Sequence, residues 1–82
     1  MSDKTVRDAV LDTILSQIDT GDPPEARATY DRLIDGGASN SQALQLMAVA
    51  LRVEMARMLN NATPFDNQAY AALLAKIKSP ES

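Results

Sequence analysis

The residue types that carry most protein chemistry near neutral pH are missing from this chain: none of its 82 residues is a histidine or a cysteine. That removes the two commonest transition-metal ligands, the usual general base and the thiolate nucleophile. Carboxylates are what remain. Glu54 lies inside an apolar stretch, and at about 100° per residue it falls beside Met47 and Met58 on one helix. It has two readings. Either it pairs with Arg57 or with a basic residue on another helix, as half-buried acids usually do, or it is a perturbed carboxylate acting as acid, base or ligand. The second reading needs partners, and the sequence names none.

Asp8 with Asp12, and Asp31 with Asp35, place acids one helical turn apart. Such a spacing can hold Mg²⁺ or Ca²⁺ weakly through oxygen. Neither pair belongs to a Glu-x-x-His arrangement or a calcium loop, so solvated surface charge is the plainer expectation. There is no glycine-rich phosphate loop and no nucleophile elbow. The chain is therefore expected to be no enzyme and to hold neither cofactor nor metal.

The elements that must position these residues all carry helical periodicity. Val6, Val10, Ile14 and Ile18 recur every four residues, with Leu11 and Leu15 alongside, and Thr5 with Asp8 has capping-box character. Gly21 suits the end of that helix. Asp22-Pro23-Pro24-Glu25 reads as a second start, with Asp22 as cap and proline in the first turn, ahead of Ala26, Tyr30, Leu33 and Ile34 on one face. Gly36-Gly37 stops it. Ser39 with Gln42 announces a third helix, and Phe65-Asp66 with Tyr70 reads as a hydrophobic staple beside a fourth cap. No stretch alternates as a strand would. The expected fold is all-α: one compact four-helix, bundle-like domain over 1–82, with helices near 5–19, 23–35, 40–60 and 67–78 and a frayed tail at 79–82.

The third helix is the longest and is apolar on two sides. Leu44, Met47, Leu51, Met55 and Met58 form a heptad seam, while Leu46, Val49 and Val53 lie on roughly the opposite side. Two stripes need two coverings, so this is the expected central helix. Its methionines either fill the core or form an adaptable interaction surface, a self-association seam or a groove for a partner helix. The turn between the second and third helices could suggest a helix-turn-helix. The following Asn40-Ser41-Gln42-Ala43 carries no cation for phosphates, however, and Arg27, Arg32, Arg52 and Arg57 are spread over two helices.

Composition narrows the classes further. The net charge is −3, which disfavours a phosphate backbone as partner. No uncharged apolar run is long enough to span a membrane, and Met1-Ser2-Asp3-Lys4-Thr5 lacks a signal peptide's basic region and apolar stretch, so a cytoplasmic location is expected. A chain this small draws little net stability from its core and gains from support by another subunit. Without disulfides or a Cys/His metal site, the expected support is a homodimer or another helical protein, engaged through the seam. A non-enzymatic interaction or regulatory module is the first functional expectation. The alternatives are a degenerate metal-dependent enzyme retaining Glu54, and a nucleic-acid-binding regulator using helices two and three.

Gln17, Asp22-Pro23-Pro24-Glu25, Ala43 through Glu54, and Pro64-Phe65-Asp66 with Tyr70 together form a pattern over most of the chain, from about Val6 to Ile77. It resembles a group of small uncharacterised bacterial all-helical proteins whose members often carry histidines on the first helix, an acid a turn later, and another histidine on the third helix. Those positions correspond to Arg7, Leu11, Leu15 and Gln45. The resemblance implies the helix order and the caps. It implies that any metal site built on the group's histidines and Glu54 is lost here, since arginine and leucine cannot replace neutral imidazole.

Overall fold

The computed structural model describes residues 6–78, with side chains from Asp8 onward. Four helices and no strands make up the described residues: α1 (Val6–Thr20), α2 (Pro24–Asp35), α3 (Asn40–Asn61) and α4 (Asn67–Ala75). The all-α, four-helix expectation holds. Thr5 and the tail at 79–82 lie outside the described residues.

Local chemistry sets most of the boundaries. Gly21, at φ +70°, ends α1 with its N–H donating to the Gln17 carbonyl at 2.9 Å. That left-handed conformation costs an L side chain but not glycine. At the end of α2, Ala38 N–H donates to the Leu33 carbonyl and Gly37 N–H to that of Ile34, with Gly37 at φ 102°. This pair of bonds is a Schellman motif, and its two apolar ends, Leu33 and Ala38, are both buried. Ser39 and Gln42 complete a reciprocal capping box at the start of α3.

Two boundaries differ from expectation. The N-cap of α2 is Pro23 rather than Asp22, and no side chain caps it. Pro23 and Pro24 lack the N–H groups that a cap would satisfy, so Asp22 has little to do there. Helix α4 stops at Ala75, three residues short of the expected 78. It closes in tighter bonds from Lys76 N–H to Leu73 O and Ile77 N–H to Leu74 O, and Arg32 reaches over from α2 to the same end. Nη2 donates to Leu74 O at 3.0 Å and Nη1 to Ile77 O at 2.8 Å.

Helix α3 packs against all three other helices, as a central helix should, and α2 also touches both α1 and α4. By contrast, α1 and α4 do not pack backbone to backbone. The core is a single cluster built on Val10, Ile14, Leu33, Met47, Leu51 and Leu74, closed by the Tyr70 ring.

Candidate functional site

Glu54 is fully buried, and both carboxylate oxygens are occupied. Arg57, one turn along α3, donates from Nε to Oε1 at 2.7 Å and from Nη2 to Oε2 at 2.5 Å. The backbone N–H of Asp66 donates to Oε2 at 2.8 Å. These bonds favour the ionised form, so the hydrogen bonds from Arg57 and then Asp66 pull the carboxyl from 4.5 down to about 2, against the opposing effect of burial. A carboxylate so held is ionised near neutral pH and serves as acceptor for Arg57 and the Asp66 N–H. Its pairing with Arg57 is the first of the two readings of the sequence.

The same guanidinium gathers the connection between α3 and α4. Nη1 donates to Thr63 Oγ1 at 3.1 Å and Nη2 to the Pro64 carbonyl at 3.4 Å. Asp66 then caps α4, accepting from Gln68 N–H at 2.9 Å and Ala69 N–H at 3.2 Å. The Phe65 and Tyr70 rings meet edge to face, 5.5 Å apart, which is the expected staple. Tyr70 is buried and donates to Gln17 Oε1 at 2.8 Å, so one side-chain bond joins the two helices whose backbones do not meet. Burial pushes the Tyr70 phenol up to about 12, the Gln17 bond opposing.

Gln17, Glu54, Pro64, Phe65, Asp66 and Tyr70 are thus all engaged in holding helices together. Leu11 and Gln45 face a shared groove between α1 and α3, and Leu15 is half exposed. The side chain of Arg7 lies outside those described.

The seam of Leu44, Met47, Leu51, Met55 and Met58 needs correction as an interaction surface. Met47 and Leu51 are buried at the centre of the chain's own core, and Leu44, Met55 and Met58 are half-buried. A chain of this size needs its most continuous apolar stripe for itself, and α1, α2 and α4 cover it. Met47 therefore fills the core and Met55 packs against it. The stripe left open is the opposite one: Val49 is 60% exposed and Val53 48%. Because α1 and α4 do not meet, this stripe forms a ridge with a groove on each side. One groove, toward α1, is lined by Val10, Leu11, Gln45, Ala48, Val49 and Arg52. The other, toward α4, is lined by Leu46, Val49, Val53, Leu73, Ile77 and two lysines.

The cations divide into two sets. Arg27 pairs with Asp31, Arg32 caps α4 and Arg57 holds Glu54. The side chains of Arg52, Lys76 and Lys78 make no hydrogen bond or ion pair with other described residues, and these three border the Val49–Val53 ridge. No three His, Cys, Asp or Glu side chains among the described residues converge as a metal site would require, and none of the described helices is long and apolar enough to cross a membrane. Asp31 of the Asp31–Asp35 pair is engaged by Arg27.

Comparison with known proteins yields no relationship: no family model matches the chain, and neither a curated protein nor a solved structure is found to be similar to it.

Proposed function

We propose that this chain is a non-enzymatic, cytoplasmic interaction module that binds a helix on the outer face of α3, the helix coming from a second copy or from another helical protein. One observation carries the reading. The ridge of Val49 and Val53 stands exposed between two apolar grooves, where isolated surface valines would need no explanation but a contiguous apolar face does. The geometry suits helix-in-groove recognition, with anchors repeating at helical spacing.

The alternative readings find less support in the geometry. Glu54 is engaged on both oxygens by scaffold groups, which supports a structural task for it over a catalytic or metal-binding one. On α2, Arg27 and Arg32 are bound to Asp31 and to the end of α4, so no basic stripe runs beside the α2–α3 turn for a nucleic acid.

Photo-crosslinking in the native cell tests the reading, with a photoreactive residue placed at Val49 and a control at the far-side Arg27. A cross-linked partner at Val49 alone, whether self or another chain, is the expected result. Absence of any cross-link at Val49 would sink the idea.

A further inference from the structure

We infer that the occupant of the α3 face is an acidic amphipathic helix of another protein rather than a second copy of this chain. The inference rests on the interaction reading above and names its partner chemistry. Among the described residues, the charged side chains lining the two grooves beside Val49, and a third one between Arg52 and Ala56, are all basic: Arg52, Lys76 and Lys78. Asp8 and Asp12, the acids flanking Leu11 on α1, line none of them. This occurs in a chain whose net charge is −3. The positive rim is therefore local, set against the sign of the whole molecule.

Apolar anchors ringed by cations that have no partner among the described residues are complementary to an apolar stripe flanked by carboxylates. Such a rim sets partner choice and encounter rate. A face-to-face dimer across this surface would press Arg52, Lys76 and Lys78 of one copy toward the same cations of the other. Like charges brought together at an interface disfavour that pairing. An anionic membrane shares the charge preference, but the apolar surface here is two concave grooves beside a ridge. Grooves of that form take a helix, and the remaining surface, net acidic, is repelled by anionic lipid.

The test uses two synthetic peptides of about 18 residues with one leucine stripe, flanked by glutamate in the first and by lysine in the second. Each is titrated into the isotope-labelled full chain and followed by amide shifts. Light scattering of the chain alone and vesicles of anionic lipid run in parallel. The glutamate peptide is expected to bind and to shift Val49, Val53 and Leu73. The lysine peptide, and the glutamate peptide against the Arg52→Glu/Lys76→Glu/Lys78→Glu variant, are expected to be weaker by about tenfold or more. All three substituted residues are exposed, so the variant retains the fold, checked by its helical circular dichroism. Equal affinity for both peptides, or binding to neither, overturns the inference. So does preference for the vesicles. Self-association that Val49→Asp abolishes overturns the acidic partner while leaving the interaction reading standing, whereas a Val49 that engages nothing in this assay or in the cell removes both.

Discussion

The backbone N–H of Asp66 donates to Oε2 of Glu54, 2.8 Å away and twelve positions earlier in the chain. The bond ties the cap of one helix to the buried acid of another. Because Arg57 holds the same oxygen and also reaches Thr63 and Pro64, the α3–α4 connection is folded around one charged pair.

Glu54→Gln tests that tie. The amide keeps the shape but loses the charge, leaving Arg57 without its counter-ion in a half-buried place. Breaking one side of a buried pair is strongly destabilising, so thermal unfolding should drop by on the order of 10 °C. Helicity below the transition should be retained.

Acid should reveal the same residue. With a folded value of about 2 against 4.5 when free, the unfolded chain takes up the Glu54 proton first. The contribution is therefore fully present above pH 4.5 and is lost as pH falls toward 2. Urea melts at a series of pH values should show the difference between wild type and Glu54→Gln shrinking across that window, and staying constant from pH 5 to 8.

Alkali acts on Tyr70 with the opposite sign. Its phenol is held up to about 12 against an ordinary 10, so the folded state keeps the proton that the unfolded state gives up. Stability from this group is whole below pH 10 and declines as pH rises through 12. In Tyr70→Phe that alkaline decline should be weaker, while the Gln17 link is lost at every pH.

Ala62 closes α3 in the left-handed region, at φ 52° and ψ 43°, where glycine is the favoured residue. Ala62→Gly should therefore stabilise by about 0.5–1 kcal/mol, the relief of Cβ crowding outweighing the entropy glycine adds to the unfolded chain. A higher midpoint in urea at unchanged slope is the expected result.

The two stripes of α3 should separate in mutagenesis. Met47→Ala empties a site that is 0% exposed and should cost about 2–5 kcal/mol. Val49→Ala, on a side chain 60% exposed, should stay within about 0.5 kcal/mol of wild type. Equal losses at the two positions would show that the inner and outer faces had been assigned wrongly.

What could be read in advance was what neighbouring residues settle among themselves. The Ser39–Gln42 box, the Asp66 cap, the Gly21 and Gly36-Gly37 stops and the Glu54–Arg57 pair all lie within one or two turns of sequence. Both stripes of α3 were visible too, since periodicity marks faces. It does not mark neighbours, and so it leaves open whether Met47 and Leu51 fill the core or form an interaction surface, where the structure buries both. The Arg32 bonds at the end of α4 span 42 and 45 positions, and the Tyr70–Gln17 bond spans 53. No local pattern encodes links of that range. The three cations around Val49 were individually plain, but their assembly on one face needed α3 and α4 to be laid side by side.

Helix α4 has only nine residues, too few to persist in water by itself. Its start is tied to Glu54 on α3, its middle to Gln17 on α1 and its end to Arg32 on α2. Each tie comes from a different helix, so no partial assembly offers all three. Helix α4 is thus the piece that registers whether the other three have come together. Its amides should gain hydrogen-exchange protection late in folding, and all at once.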